Sequence, residues 1–512
     1  MAKLTLVNTD DAGRPFPPGD YQVVVVGSGP GGLQLAYSLE RLGIGHAVIS
    51  ADEGPGGMFR KWPLYQRLLS WTKPYAANGP GTRRFERSDW NSLVADEPDN
   101  RSLQALHMDK SSYFPARSEM EANLRDFAQR ANIKIRYNCS WESTTRIDDG
   151  SPMRFALTTS DGVYRCRIAL FAVGVAEPWS PNIPGIEHTH HYADVKEPEA
   201  YAGKRIFIIG KRNSGFELAS GLLPWAKTLT LASPSPAKIS VVTKTLVGVR
   251  ARYVQPFEDN AIGGGCNIMD AAIDRITRTA DGLVVALRRT ADGEVVQVAA
   301  DEVINATGFI CPLLDLPDLG VRTFGQNKVP AQTPWWESAT VPGIGFAGTI
   351  TQGAPSLGKY GVPPNSGAVQ GHRYNARILA RRIATSEFGI PEDHAEVDPA
   401  HFAQLLLREA SESPELWHQR GYLARAFTIS RDTGIHDRGV IPVTAFLDEP
   451  GGEGVALTME TDGTGAVFPV LYVRSGGSVT EHKLPDSDIA DYAGVEHQKG
   501  ANSALAPLGI PA

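Results

Sequence analysis

Two glycine-rich loops contain the residues of this sequence that are best suited to bind a cofactor. The first reads Gly27-Ser28-Gly29-Pro30-Gly31-Gly32, and the second reads Gly210-Lys211-Arg212-Asn213-Ser214-Gly215. Between a strand and a helix, the first glycine of such a loop permits a tight turn, the second lets backbone approach a pyrophosphate, and the third lets the helix pack on the strand. The start of the helix also presents free N–H groups and a positive dipole end to the phosphates. The loops therefore predict two dinucleotide sites.

The first loop has the surroundings that such a site requires. Residues 21–26 form a short apolar run before it, and leucines at helical spacing follow it, which disfavours a purely structural turn. An acidic residue that binds a ribose hydroxyl is expected about 20 residues further on. Ser50 occupies that position, and Asp52 or Glu53 can reach back. We predict FAD at this loop, with the ligands Gly27, Gly29, Pro30, Gly32 and Asp52.

The second loop departs from the pattern at one position. Arg212 stands where the second glycine is expected. Its guanidinium either pairs with the phosphates, for which its shape is suited, or obstructs the loop so that nothing binds. We favour pairing, because Asn213, Ser214 and the helix pattern that follows are intact. The predicted NAD(P)H ligands are Gly210, Arg212, Asn213, Ser214 and Gly215.

The end of the second strand in this unit bears on the choice between NADPH and NADH. No acidic residue closes that strand; the chain continues through Ser233, Ser235 and Lys238. An acid would repel a 2′-phosphate, whereas serines and a lysine tolerate one. We therefore predict NADPH, with Ser233 among its ligands.

Both loops begin strand–helix–strand units, which predicts an α/β fold. Apolar strands return at residues 47–49 and 229–232, as in right-handed crossovers between parallel strands. A proline-rich bend at residues 178–184 precedes the second unit and is a natural hinge. After Thr385 the patterns weaken, and the sequence predicts three further strands, at residues 440–446, 455–459 and 467–473.

Composition excludes several other classes of protein. The formal net charge of the 512 residues is -7, which offers no basic surface for nucleic acid. No apolar run reaches the length of a membrane helix, and the first residues lack the plan of a signal peptide, so we expect a cytoplasmic protein. Four widely spaced cysteines, with no Cys-x-x-Cys pair, exclude a zinc ribbon and a redox dithiol of that kind. His188, His190 and His191 lie on an extended stretch and do not converge easily, so we predict no metal site.

Motifs throughout residues 20–385 resemble the flavin-containing monooxygenase superfamily, and most of all the FAD-dependent-oxidoreductase-domain proteins related to it. The order and spacing of the motifs carry the resemblance. They are Gly56-Gly57-Met58-Phe59-Arg60-Lys61-Trp62-Pro63, Leu68-Leu69-Ser70-Trp71-Thr72-Lys73, Tyr113-Phe114-Pro115-Ala116-Arg117-Ser118-Glu119, Pro184-Gly185-Ile186-Glu187, Ala306-Thr307-Gly308-Phe309, Phe346-Ala347-Gly348-Thr349 and Ser366-Gly367-Ala368-Val369-Gln370-Gly371-His372-Arg373-Tyr374.

The resemblance implies two Rossmann-like dinucleotide-binding domains, with the NADPH domain inserted in the FAD domain. FAD would occupy residues 20–195 and 303–385, NADPH would occupy residues 200–302, and a small α+β extension would follow at 390–512. Gly348 and Thr349 would lie near the ribityl chain and isoalloxazine. Trp141 and Val173 match positions on the adenine side, and Met58 and Trp62 match the stretch alongside the flavin.

The resemblance further implies an NADPH-consuming monooxygenase that oxygenates an amine nitrogen or a sulfur through a C4a-hydroperoxyflavin. Its partners would be a small molecule and molecular oxygen. The family often places an asparagine near the flavin, where this chain has Thr72. Thr72 and Lys73 are our candidate catalytic residues. Two alternatives remain open: a flavin dehydrogenase or reductase with an acceptor other than oxygen, and a flavoprotein whose NADPH site is degenerate.

Overall fold

The computed structural model describes residues 9–10, 12–62, 67–243 and 247–510. They form two compact units. The first takes its residues from 1–60, 70–175 and 311–512, and the second from 61–69 and 176–310. The second unit therefore interrupts the first along the chain, as the predicted fold class requires.

A six-stranded sheet forms the centre of the first unit. Residues 23–26 are buried valines, which is typical of a parallel strand covered on both faces. Strands Gly19–Val26, His46–Ile49, Gly162–Phe171 and Ile344–Phe346 are parallel, and a hairpin extends the sheet. In spatial order the strands are His46–Ile49, Gly19–Val26, Gly162–Phe171, Phe155–Thr159 and Trp141–Arg146, with Ile344–Phe346 also paired to Gly162–Phe171.

Two long helices of the first unit pack against each other. We call Pro30–Arg41, which follows the first glycine loop, the first-loop helix. We call Val369–Phe388 the closing helix. Between residues 70 and 175, the first unit also contains the α-helices Gln104–His107 and Arg117–Arg130. None of the helices in the described residues is long and apolar enough to cross a membrane.

The second unit is built on a seven-stranded sheet. Its central strands are parallel, and two antiparallel strands extend one edge. In spatial order the strands are Val295–Ala300, Gly282–Arg289, Cys266–Thr279, Thr228–Ser233, Arg205–Ile209, Glu302–Asn305 and His190–His191. Its helices are Asn213–Leu222, Ser240–Thr243 and Gln255–Ala261. With the first unit, this arrangement confirms the prediction of two Rossmann-like domains.

The C-terminal extension belongs to the first unit. It contains an antiparallel sheet with the strands Glu396–Val397, Gly434–Pro442, Leu423–Ser430, Gly454–Thr461, Val467–Ser475 and Ser478–Lys483 in spatial order. Helices Phe402–Glu412, Pro414–His418, Val443–Asp448 and Val495–Leu505 accompany it. The prediction of a strand at residues 440–446 is wrong for its second half. The observed strand ends at Pro442, and the helix Val443–Asp448 follows. Proline has no N–H to continue the strand ladder.

Side chains of the extension hold the segment that leads into the closing helix. The amide of Gln419 donates to Ser366 Oγ at 3.0 Å and to Asn375 Oδ1 at 2.7 Å. The amide of Asn365 donates to the carbonyl oxygen of His418 at 2.7 Å. Because these groups are mostly buried, each bond also satisfies a polar atom that water does not reach.

Candidate functional site

The first glycine loop is a tight turn that only glycine can form at two positions. Gly27 has a φ of 115°, in the region that favours glycine. A Cβ on Gly32 would lie 2.0 Å from the carbonyl oxygen of Gly27. The turn therefore requires glycine at Gly27, and the close approach of the helix to the strand requires glycine at Gly32.

Gly29 is different, because the protein itself leaves space beside it. It has an ordinary φ of -71°, and a Cβ there would come no closer than 3.9 Å to another described residue, at Gly57 Cα. Pro30 begins the first-loop helix directly after it. A helix N-terminus with open backbone in front of it suits a pyrophosphate, so the residues present fit the pyrophosphate of FAD.

Of the two acidic residues considered for the ribose, Asp52 lies beside the loop. Ser28 Oγ is 2.9 Å from Ser50 Oγ and 3.3 Å from Asp52 Oδ2. Glu53 instead pairs with Arg60 at 2.6 Å. Asp52 therefore remains the predicted ribose ligand, while the carboxylate of Glu53 is engaged elsewhere.

Gly348 lies directly against the first loop. A Cβ on Gly31 would lie 2.3 Å from the backbone nitrogen of Gly348. Gly348 has a φ of 83° and is buried, and Thr349 follows it in the same short turn, Gly348–Gly353. The structure thus brings together two segments that are more than 300 residues apart in the chain and that were both predicted to contact FAD.

The residues predicted on the adenine side lie at one end of the same sheet. The ring of Trp141 is 4.7 Å from that of Phe171, centroid to centroid. Val173 comes two residues after the strand that ends at Phe171. Both predicted residues therefore belong to the first unit and adjoin the carboxyl end of one of its parallel strands.

The two residues predicted alongside the flavin fall in different units. Met58 lies in the short helix Gly57–Arg60 of the first unit. Trp62 belongs to the second unit, where its ring is 5.6 Å from that of Phe309. Within the second unit, Trp62 therefore packs on the Ala306–Phe309 motif.

The second glycine loop repeats the construction of the first. Gly210 has a φ of 119°, and a Cβ on Gly215 would lie 2.3 Å from the carbonyl oxygen of Gly210. Ser214 lies in the first turn of the helix Asn213–Leu222. Arg212 is exposed directly before this helix, and no ion pair of its guanidinium occurs within the described residues. Its charge is therefore available at a helix N-terminus.

Asn213 has a structural task in this structure. Its side-chain amide donates to the carbonyl oxygen of Gly248 at 3.2 Å, and its side-chain oxygen accepts from the backbone N–H of Arg250 at 3.0 Å. These two bonds hold the loop at residues 248–250 against the start of the helix. Any contribution of Asn213 to cofactor binding would come from its backbone or from the loop it fixes.

The structure adds an acidic residue that the sequence argument missed. Asp270 is the parallel-sheet neighbour of Ser233. It pairs with Lys211, whose side chain is only 1% exposed. Lys211 therefore offsets the negative charge beside Ser233. Asp270 belongs to the neighbouring strand, 37 positions after Ser233 in the sequence, so a local sequence motif could not predict it.

The hydroxyl of Thr72 is part of a buried network. Thr72 Oγ1 donates to Asp89 Oδ1 at 2.7 Å and accepts from the amide of Asn91 at 3.0 Å. All three residues are fully buried. Asp89 Oδ2 has no hydrogen-bond partner among the described residues. Lys73, the other candidate catalytic residue, is exposed. Asp89 and Asn91 were not found from the sequence, because neither belongs to a recognisable motif.

The four thiols are all buried and free. Burial raises the pKa of Cys166, Cys266 and Cys311 to about 12, and it also raises the pKa of Cys139. A thiol with such a pKa is almost wholly protonated near neutral pH and is a poor nucleophile. Among the described residues no group of three or more His, Cys, Asp or Glu side chains could hold a metal ion.

Comparison with known proteins places the chain in a family. Residues 24–348 match the family described as pyridine nucleotide-disulphide oxidoreductase. The FAD-dependent oxidoreductase domain-containing protein 2 of Mus musculus is 27% identical over 440 residues, which cover 80% of this chain and 64% of the mouse protein. This chain thus spans less than two thirds of that relative's length.

Two further comparisons agree with this assignment. The probable indole-3-pyruvate monooxygenase YUCCA4 of Arabidopsis thaliana is 26% identical over 215 residues, which cover 40% of this chain and 44% of that protein. The fold is that of a bacillithiol disulfide reductase from Staphylococcus aureus, with a TM-score of 0.56 at 16% identity over 72% of this chain and 99% of that one. The family match over residues 24–348, which include both glycine loops, shows that the chain belongs to the pyridine nucleotide-disulphide oxidoreductase family, with FAD and NAD(P)H as its cofactors.

Proposed function

We propose that this protein is an NADPH-consuming monooxygenase that oxygenates a soft nucleophile, an amine nitrogen or a sulfur. The relationship to a probable plant monooxygenase carries the proposal, and the state of the four thiols argues against a disulfide reductase. A disulfide reductase exchanges disulfides through a thiolate, and here burial keeps every cysteine protonated. Oxygen is the acceptor that the relationship to a probable plant monooxygenase favours.

Bound FAD would supply hydride acceptance and oxygen activation, and the protein would supply binding, orientation and exclusion of water. The first loop would hold the pyrophosphate on backbone N–H groups in front of Gly29, and Asp52 would accept from the ribose. Arg212 would pair with the phosphates of NADPH. Since Lys211 offsets the charge of Asp270, a 2′-phosphate beside Ser233 would meet no net negative charge, which supports NADPH over NADH.

We assign the Thr72 network to proton handling. Thr72 Oγ1 holds a proton that is directed at Asp89 Oδ1, and the amide of Asn91 fixes the orientation of the hydroxyl. To donate to a reacting oxygen, Thr72 would turn this proton away from Asp89. The backbone N–H groups of Asn91 and Ser92, at 3.0 and 3.1 Å from Asp89 Oδ1, would then still stabilise the carboxylate.

The decisive experiment follows NADPH oxidation, oxygen uptake and loss of a candidate amine or thioether in one reaction. A monooxygenase consumes the three in equal amounts. Oxidation of NADPH that requires an added dye or protein acceptor, without oxygen uptake, would instead establish the dehydrogenase alternative. Failure of NADPH to bind, and hence to reduce the flavin, would favour the degenerate site.

Alkylation of the native protein should leave its activity intact. We expect iodoacetamide near neutral pH to change the rate of NADPH oxidation by less than about twofold, because the reagent attacks thiolates and the four thiols are buried and protonated. Mass spectrometry should find them unlabelled in the folded protein and labelled after unfolding. Rapid labelling accompanied by inactivation would restore the disulfide reductase hypothesis.

Removal of the Arg212 side chain should weaken NADPH binding. A charge-assisted contact to a pyrophosphate is worth about 1.5–3 kcal/mol, so Arg212→Ala should raise the Kd by roughly 10- to 150-fold. Arg278→Ala, which removes an exposed arginine from the same unit, is the matched control and should leave the Kd unchanged. Titration calorimetry with both variants provides the measurement. Tighter binding by Arg212→Ala would identify the arginine as an obstruction.

Loss of the Thr72 hydroxyl should uncouple NADPH oxidation from product formation. Thr72→Val keeps the shape and removes the proton, so we expect several-fold more hydrogen peroxide and less product, with flavin reduction nearly unchanged. Thr72→Ser keeps the hydroxyl and should remain coupled. Peroxide and product assays on both variants test this. Equal peroxide release by Val and Ser variants would remove Thr72 from the mechanism.

A further inference from the structure

A cavity of about 610 Å³ lies within the first unit, away from the residues assigned to either dinucleotide. Its walls are the C-terminal end of the first-loop helix, the middle of the closing helix, and the strands Leu423–Ser430 and Gly434–Pro442 of the extension. Cavities that bind small molecules typically measure about 300–1,000 Å³. This one is therefore large enough for a small organic ligand.

The wall of the cavity is rich in guanidinium groups. Five arginines line it, against two acidic residues, Asp96 and Glu415. The arginines are Arg41, Arg83, Arg377, Arg381 and Arg425. A guanidinium in such a wall can bind an oxyanion where no carboxylate already neutralises it.

Four of the five arginines are already paired. Arg41 and Arg377 share Asp96, at 3.3 and 2.8 Å. Arg83 and Arg425 share Glu409, at 3.0 and 2.7 Å, and each has a further acidic partner. These pairs hold the wall in place before any ligand arrives.

Arg381 differs from the other four. It donates to the carbonyl oxygen of Val440 at 3.0 Å, and no carboxylate of the described residues lies within 4.0 Å of it. Burial and the neighbouring Arg377 lower its pKa, and the carboxylates of Glu392, Glu415 and Asp437 oppose this at longer range. A partly buried cation without a contacting carboxylate is less favourable than a paired one, and an anionic ligand would supply that contact.

We propose that this cavity binds a small organic anion through a carboxylate or phosphate group on Arg381. A guanidinium can bind either group with two parallel hydrogen bonds. Arg377 and Arg425 would add attraction at longer range, while Leu42, Ile378 and Val440 offer apolar surface to the body of the ligand. The site requires neither FAD nor NADPH, so the proposal stands independently of the proposed monooxygenase activity.

The test uses the whole 512-residue chain saturated with FAD and NADP⁺, so that both dinucleotide loops are filled. Titration calorimetry measures the binding of two probes, citrate for carboxylates and pyrophosphate for phosphates. Binding of either probe by the wild type, weakened at least about tenfold in Arg381→Gln, supports the site, and the probe that binds identifies the group. Arg382→Gln is the matched control, because Arg382 packs over Trp335 and does not line the cavity. No binding of either probe by the wild type, or equal binding by Arg381→Gln, would overturn the proposal.

A second variant tests the proposal even if Arg381→Gln does not fold. Leu42→Trp adds volume inside the cavity and leaves every charge in place. The flavin spectrum and thermal midpoint report whether each variant is folded. Leu42→Trp should weaken probe binding by at least about tenfold. If it binds the probes as tightly as the wild type, the ligand lies elsewhere and the cavity proposal is wrong.

Discussion

Replacement of Gly29 by valine should give a folded protein that does not retain FAD. Gly29 has an ordinary φ, and a Cβ there would have 3.9 Å of clearance, so the fold itself tolerates a side chain. The same side chain would stand where the pyrophosphate must approach the backbone. Loss of two charge-assisted hydrogen bonds, at about 1.5–3 kcal/mol each, should weaken FAD binding by more than about 100-fold. The flavin spectrum of the purified protein measures this directly.

Two other glycines make the experiment specific. Gly45→Val adds the same side chain in the same unit, at a position where a Cβ would meet nothing within 4 Å, and this variant should keep its FAD. Gly32→Val should lose the fold together with the flavin, because its Cβ would lie 2.0 Å from the carbonyl oxygen of Gly27. A Gly29→Val protein that purifies with a full complement of FAD would contradict the predicted cofactor site.

Replacement of Arg373 by methionine should destabilise the protein by about 3–5 kcal/mol. Arg373 is fully buried and donates to the carbonyl oxygens of Ser92 and Glu86, at 2.6 and 3.1 Å. Tyr374 donates to the Glu86 carboxylate at 2.8 Å. Burial raises the pKa of Glu86, and Arg373 opposes that increase. Without the arginine, a buried carboxyl and two carbonyl oxygens would lose their positive partner.

Urea unfolding of the FAD-saturated protein measures this effect. Arg125→Met, which breaks an exposed pair with Glu121 at 2.8 Å, is the control and should cost no more than about 0.5 kcal/mol. Because Glu86 would be neutral in Glu86→Gln, the double variant with Arg373→Met should lose less stability than the two single losses combined. Strict additivity would show that Arg373 does not act through Glu86.

The backbone requirements of both loops could be predicted from the sequence, whereas their charged neighbours could not. A strand, a tight turn and a helix are local, so the glycine spacing of residues 27–32 and 210–215 was sufficient to place them. Asp270 reaches Ser233 only because two parallel strands adjoin. The buried pairing of Thr72 with Asp89 likewise depends on the path of an irregular segment, which has no periodic pattern.

The roles of individual side chains also could not be predicted from the sequence. Asn213 has the residue type of a cofactor ligand, yet its side chain bonds to the loop at residues 248–250. Trp62 stands in a motif of the FAD part but packs in the second unit on Phe309. Residue type and spacing limit what a side chain can do, and its contacts decide which of those tasks it performs.

Two hydrogen bonds between the extension and the segment before the closing helix have a consequence for protein engineering: Gln419 donates to Ser366, and the carbonyl oxygen of His418 accepts from Asn365. That segment lies between the predicted FAD contacts, Gly348 and Thr349, and the closing helix, and the hydroxyl of Thr351 donates to the carbonyl oxygens of both Gly348 and Ser366. The extension is therefore not a detachable module that can be trimmed away or exchanged with that of a relative at no cost. Any graft at this junction must carry Asn365 and Ser366 together with their partners, or the FAD contacts lose their support.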